Sequence, residues 1–208
     1  MSVLYNPKTK QFYLHTKNSS YVMELYENHL AHSYWGSRVN AIPNLEHYYP
    51  FRFGADFSAT DIPGSRFNSS DKLPQEYPTY GTGDMRSPAL QVENAAGDSI
   101  TRLRYESHRI LEGKPPLSGL PATYGDDCET LEITLSDELT GVTAVLNYTV
   151  FPEKDVLTRS VRIENRGNTA CTLEKAASFC LDLHQDGFEV IHLHGAWAKE
   201  RHIQRLPQ

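Results

Sequence analysis

At 208 residues the chain suits a single domain, because all-β units routinely reach this length undivided. A formal net charge of -6 with no basic stripe excludes a nucleic-acid polyanion as partner, since no row of cations stands ready to release its counterions. No apolar run approaches the roughly 20 residues that span a bilayer, and the opening MSVLYNPKTKQFYLHT lacks a signal-peptide core, so no membrane partner and a cytoplasmic location are expected.

Along the chain, Gln11 to Thr16 and Tyr21 to Tyr26 read as a hairpin around Lys17-Asn-Ser-Ser20, and Leu30 to Val39 as a further strand carrying Trp35. From Pro43 to Pro88 six prolines, several glycines and scattered charges break any period. Regular alternation returns with Ala89 to Glu93 and, after the turn Asn94 to Asp98, with Ile100 to Ile110. Leu131, Ile133 and Leu135 share one strand face, and Val142, Ala144, Leu146, Tyr148 and Val150 share the next, with Ser136 to Gly141 as the turn between them. Leu157, Val161 and Ile163 continue the pattern on a third strand, closed by the turn Glu164 to Asn168.

Cys171, Leu173, Ala177, Phe179, Leu181 and Leu183 mark one long strand, with a helix over 172–183 as the alternative, since Leu173, Ala176, Ala177 and Cys180 also fit a helical stripe. The turn His184 to Gly187 and a strand from Phe188 to His194 follow. Five strands in succession with short turns predict an antiparallel meander. On that reading Cys171 and Cys180 lie about 30 Å apart, beyond disulfide reach. With Cys128 they are expected as buried free thiols.

The segment YPFRFGADFSATDIPG, Tyr49 to Gly64, follows neither the helical nor the strand period. A structureless stretch this long is usually functional or disordered. Phe51, Phe53, Phe57, Phe67, Tyr77 and Tyr80 make disorder the poorer reading, because disordered segments are poor in aromatics. The segment should pack against this domain or another polypeptide.

Several motifs have a plain reading beside a functional one. His192 and His194 have strand spacing on one face and His184 lies close in sequence, but no third metal ligand is placed by motif, so a solvated strand surface is favoured over zinc. No metal and no cofactor are expected. Asn18-Ser-Ser, Asn68-Ser-Ser and Asn147-Tyr-Thr fit the glycosylation pattern, but with no secretory signal evident they are given no weight. Trp35 and Trp197 read as core or interface anchors, with stacking on a sugar as the alternative.

The blocks Phe53-Gly-Ala-Asp-Phe57, Gln75-Glu-Tyr-Pro-Thr-Tyr-Gly81, Gly83-Asp84, Arg86-Ser-Pro-Ala89, Pro115-Pro-Leu-Ser-Gly-Leu-Pro-Ala-Thr-Tyr124 and His194-Gly-Ala-Trp-Ala-Lys-Glu-Arg201 resemble the amino-terminal domain of bacterial α-galactosidases of glycoside hydrolase family 36. The resemblance covers essentially the whole chain. It implies an all-β fold, a large antiparallel β-sandwich of the galactose-mutarotase-like supersandwich type, occupying residues 1–208 and incomplete at its C-terminal end. It also implies partners: a catalytic barrel domain downstream that carries two aspartates of a retaining glycosidase, an α-galactoside substrate bound by the complete enzyme, and a homo-oligomer. No catalytic residue is expected within this chain, because Asp56, Asp61, Asp71, Asp84, Asp126 and Asp127 do not supply an obvious pair at nucleophile and acid spacing.

By the same resemblance the loop around Arg66 forms a substrate-site rim reaching a barrel mouth, often that of a neighbouring protomer. Arg66, then Asp56 and Phe57, are the candidate substrate-binding residues. A forked guanidinium donor, a carboxylate acceptor and an aromatic edge suit a galactoside's hydroxyl rows and apolar face. Alternatively, Arg66 and Asp56 pair with each other, or with loop carbonyls, and only hold the segment's shape. A self-sufficient carbohydrate-binding module and a mutarotase-like epimerase are the competing functions. The epimerase would need a histidine and a glutamate facing one concave sheet.

Overall fold

The computed structural model describes residues 1–48, 70–119, 122–182 and 187–207. The first sheet is a four-stranded antiparallel meander of β1 (Val3–Asn6), β2 (Gln11–His15), β3 (Ser19–Tyr26) and β4 (His29–Ser37). Glu27 and Asn28 make the two-residue connection from β3 to β4, both at positive φ (46° and 64°). That is the hairpin geometry whose twist matches the strands it joins. One helical turn, α1 (Leu45–Tyr48), follows.

The strand β5 (Leu90–Glu93) leads to the second four-stranded antiparallel meander, made of β6 (Arg104–Glu112), β7 (Glu129–Ser136), β8 (Val142–Phe151) and β9 (Val156–Asn165). The chain then returns as β10 (Thr172–Ala176) to pair antiparallel with β5. It continues into a two-stranded ribbon of β11 (Glu189–Ala196) and β12 (Lys199–Pro207).

Strand alternation decides which side chains meet. Phe12 and Leu14 of β2, with Tyr21, Met23 and Leu25 of β3, share one core with Leu131, Ile133, Leu135, Leu146, Tyr148 and Val150 of β7 and β8. Each fully buried side chain of this size stabilises the fold by roughly 1.5–3 kcal/mol. The first sheet is covered on its other face too, which is why β2 is buried at every position. There Leu45 and Leu73 pack on Ala31. Glu24 draws the chain onto that face by accepting from Gln11 Nε2 (3.1 Å), Asn44 Nδ2 (2.9 Å) and the Leu45 amide (3.1 Å).

In the second sheet the turns 136–141 and 164–168 touch backbone to backbone. A Cβ on Gly141, whose φ is 77°, would lie 2.3 Å from the Gly167 amide nitrogen, so no side chain fits there.

The all-β antiparallel sandwich expected from the sequence is what the chain forms, and the hairpins at 11–26 and 131–150 lie where alternation placed them. Three expectations need correction. The meander does not run on after β9, because residue 172 onward crosses to β5 instead of pairing with β9. The long strand from Cys171 to Leu183 ends at Ala176, beyond which the described residues 177–182 are irregular. The alternative of a helix there is not realised either. The three cysteines are free, but only Cys128 is buried, while Cys171 and Cys180 are half-exposed. Strands β1 and β12 were not anticipated.

The second part of the proline-broken stretch, 70–89, does pack against this domain. It crosses the first sheet through the Ala31–Gln75 bridge and reaches β5 through the Thr79–Leu90 bridge. Leu73, Glu76, Tyr77, Thr79 and Ala89 are all buried.

Candidate functional site

The strap 70–89 carries a charge into the centre of the sandwich. The Glu76 side chain is fully buried, and both of its oxygens are occupied. Oε1 accepts from the Tyr21 hydroxyl and lies 3.2 Å from His32 Nδ1. Oε2 accepts from the Tyr148 hydroxyl at 2.8 Å and Arg159 Nη1 at 3.1 Å. Arg159 also donates to the Glu76 carbonyl at 2.9 Å and to the Cys180 carbonyl at 3.3 Å, so one guanidinium ties the strap to β9 and to the segment after β10. Its carbon sits 4.9 Å from the Tyr148 ring centroid, within cation–π range.

The electrostatics follow from this arrangement. Burial pushes the Glu76 carboxyl up, but the His32 hydrogen bond and the Arg159 charge outweigh it and hold the group below its ordinary value. Burial, then the neighbouring carboxylate, drives the Tyr21 and Tyr148 hydroxyls well above theirs. Burial raises Tyr77 to about 12. The cluster is therefore locked in one ionisation pattern: carboxylate and guanidinium charged, phenols neutral. A carboxylate with four donors on its two oxygens has no lone pair left for a nucleophilic or general-base role. The His32–Glu76 pair is the histidine–glutamate combination a mutarotase would need, yet it is spent inside the core.

Beside this cluster a cleft of about 490 Å³ opens between β2, β3 and β4 on one side and β8, β9 and the segment around Phe179 on the other. Tyr21, Trp35, Tyr148 and Phe179 supply its aromatic surface. Thr16, Ser19, Asp155 and Arg159 supply its polar groups. A second groove of about 700 Å³ runs between the stretch Lys114–Gly119 and the outer face of β7 to β9, past Glu132, Asn147 and Ser160.

A second ion-pair knot fastens the strap's far end. Arg86 bonds Asp84 through Nε (2.9 Å) and Nη2 (2.7 Å), reaches Asp182 at 2.5 Å and donates to the Leu73 carbonyl at 2.6 Å. Asp84 is thereby a structural acceptor.

The candidate residues Arg66, Asp56 and Phe57 lie outside the described residues, as do Asp61 and His184. His192 and His194 are exposed on β11, with ring centroids 5.6 Å apart, and His202 faces His194 across the ribbon at 5.9 Å. Among the described residues no three His, Cys, Asp or Glu side chains converge on a position for a metal ion. Trp35 and Trp197 are exposed, at 57% and 94%, and neither is a core anchor. Glu76 and Arg159 escaped the reading of the sequence. The only signals were that Glu76 sits inside the Gln75 to Gly81 block and that Arg159 falls on the apolar face of its strand.

Two packed antiparallel sheets tied by a charged strap, with a buried polar cluster that is structural rather than reactive, define an all-β scaffold domain. The chain matches the Glycosyl hydrolase family 36 N-terminal domain over residues 28–208 and belongs to that family. It is 46% identical to the α-galactosidase AgaA of Geobacillus stearothermophilus over 100% of this chain and 29% of that protein. It is 42% identical to the bifunctional α-galactosidase/sucrose kinase AgaSK of Mediterraneibacter gnavus, again over 100% of this chain and 22% of the relative. A crystal structure of a variant of the Geobacillus stearothermophilus AgaA in complex with raffinose superposes with a TM-score of 0.87 at 45% identity, covering 96% of this chain and 28% of that one. The chain thus spans between a fifth and a third of the length of these relatives.

Proposed function

We propose that this chain is the non-catalytic N-terminal β domain of an α-galactosidase that removes terminal α-galactosyl residues from oligosaccharides such as melibiose or raffinose. The observation that carries the reading is the family match over 28–208, joined to identity of 46% and 42% with two α-galactosidases along the whole chain. The raffinose complex of one relative supports the substrate class. The core carboxylate Glu76 is saturated with donors, which supports assigning the bond-breaking carboxylates to a separate barrel domain. In this reading the domain contributes a rim to the substrate site through Arg66, Asp56 and Phe57 and supports assembly of a homo-oligomer.

The test is raffinose hydrolysis by the enzyme that carries this domain, with and without Arg66→Glu. The unaltered enzyme should release galactose. The variant should lose at least about tenfold in kcat/KM, a loss of roughly 1.4 kcal/mol of transition-state stabilisation, with its melting temperature unchanged. No hydrolysis by the unaltered enzyme would remove the activity, and unaltered kinetics in the variant would remove the rim.

A further inference from the structure

The ribbon β11–β12 brings together three of the chain's nine histidines. In an antiparallel pair, residues directly opposite each other share a face, as do residues two apart along one strand. His194 of β11 stands opposite His202 of β12, and His192 stands opposite Gln204. All three imidazoles therefore project from one face of the ribbon, whereas Ile191, Leu193, Ile203 and Arg205 take the other. The solvated surface expected for His192 and His194 gains a further nitrogen ligand only because the register of β12 supplies His202.

The spacing of these rings suits chelation by two of them. An imidazole nitrogen binds zinc at about 2.0–2.1 Å, which puts the centres of two rings on one ion about 5 Å apart. The ring centroids of His192 and His194 lie 5.6 Å apart, and those of His194 and His202 lie 5.9 Å apart. Each pair is thus within about an ångström of the chelating separation. The three do not meet at one point, but His194 belongs to both pairs. All three side chains are exposed, so turning a ring onto an ion displaces no core contact. The backbone beneath them is firmly closed. The register shift falls beyond His194, and a Cβ on Gly195 would lie 2.3 Å from the Lys199 carbonyl oxygen. At the tip, Glu200 and Arg201 line one recess with His194, so the charge around the rings is of both signs.

We propose that His194 and His202 form a cross-strand site for one divalent transition-metal ion, Zn²⁺, Ni²⁺ or Cu²⁺, with His192 as the alternative partner of His194 and water in the remaining positions. The class of ion follows from the donors. Imidazole nitrogen suits these borderline ions, whereas Mg²⁺ and Ca²⁺ take oxygen ligands and gain nothing from this pair. The ion joins side chains on two strands that among the described residues pair only with each other. It binds the paired form of the ribbon and not the open one, so it stabilises that pairing by mass action. The proposal does not rest on the α-galactosidase reading, because it uses no residue of the rim.

Titration of the full chain with zinc chloride and with nickel chloride, followed through the imidazole C–H signals by NMR, tests it. Zn²⁺ should shift the ring signals of His194 and His202 first and Ni²⁺ should broaden them, with saturation at a Kd of about 10–100 µM. His194→Ala should raise that Kd at least about tenfold. His202→Ala should raise it less, because His192 remains as a partner. His47→Ala, at an exposed histidine outside the ribbon, should leave it unchanged, and Mg²⁺ should give no signal. Saturating Zn²⁺ should slow amide exchange in β11 and β12 but not in β2 or β3. None of the replaced side chains belongs to the core, so the variants keep the sandwich. Three results would overturn the site. Equal affinity in His194→Ala and the unaltered chain would remove the ligand assignment. Loss of binding after Cys171 and Cys180 are blocked with iodoacetamide would give the ion to the thiols. A Kd near 1 mM that no single variant changes would mean an adventitious ion only.

Discussion

The strap 70–89 and the ribbon β11–β12 are opposites. The strap has almost no regular structure, yet Leu73, Glu76 and Tyr77 are at most 3% exposed. Its backbone finds partners one at a time, the His32 amide on the Pro74 carbonyl (2.7 Å), the Glu76 amide on the Leu30 carbonyl (3.0 Å) and the Thr101 amide on the Tyr80 carbonyl (3.2 Å). The ribbon keeps antiparallel register from Glu189–Pro207 to His194–His202, shifts by one residue before Ala196–Lys199, and every one of its described residues is exposed. Regular hydrogen bonding and embedding in the fold are thus separate properties. In this molecule the irregular segment holds the sandwich together, and the regular one stands outside it.

The strongest way to break that contrast is Glu76→Gln. The volume is kept, but the charge is lost and one acceptor oxygen becomes a donor aimed at two other donors. Breaking a buried, paired charge typically costs 3–5 kcal/mol, and a loss of about that size is expected in the unfolding free energy obtained from urea titration. Glu76 also gives the comparison a pH signature. Its folded value lies below the ordinary 4.5, so its contribution is complete above that value and is lost as pH falls through the folded value. The unaltered chain should lose stability over that acid window, and Glu76→Gln should lose measurably less there. An equal acid slope in both proteins would show that other carboxylates, such as Glu129 with its bonds from Ser2 and Val3, set the acid limit. Tyr148→Phe is the milder form of the same test. It removes one of the four donors and leaves Arg159 in place, so a loss of about 1–3 kcal/mol is expected.

What could be read in advance follows the same division. The β7–β8 hairpin was legible because Leu131, Ile133, Leu135, Val142, Ala144 and Leu146 recur at every second position, mostly between polar neighbours, although the neighbours are buried too. Alternation says nothing about which strand will be the neighbour, so the crossing of Thr172–Ala176 to β5 was not visible. It also cannot tell a continuing strand from an apolar stretch that merely packs, and Phe179 and Leu181 were misread for that reason. β12 carries Lys199, Glu200, Arg201, His202, Gln204 and Arg205 among few apolar residues, and with no buried face it left no period. Glu76 was hidden more deeply. Its role exists only where Tyr21, His32, Tyr148 and Arg159 meet, and these come from β3, β4, β8 and β9. The rim candidates Arg66, Asp56 and Phe57 had no period to be tested against, only a resemblance.

The smallest effect is expected on the ribbon. Leu193 and Ile203 face each other across it at 61% and 68% exposure. A cross-strand pair of this kind contributes roughly 0.2–1 kcal/mol, and only to the two strands it joins. Leu193→Ser therefore removes a local contact without opening a cavity in the sandwich, and the unfolding free energy from urea titration should change by less than about 0.5 kcal/mol, as for other exposed sites. Hydrogen exchange should show the same division: the amides of β11 and β12 exchange faster in the variant, while those of β2, β3, β7 and β8 do not change, because ribbon and sandwich open as separate units. A loss above 1 kcal/mol, or faster exchange in β7 and β8, would mean that the ribbon is coupled to the core after all, and its exposure would no longer mark it as standing outside the fold.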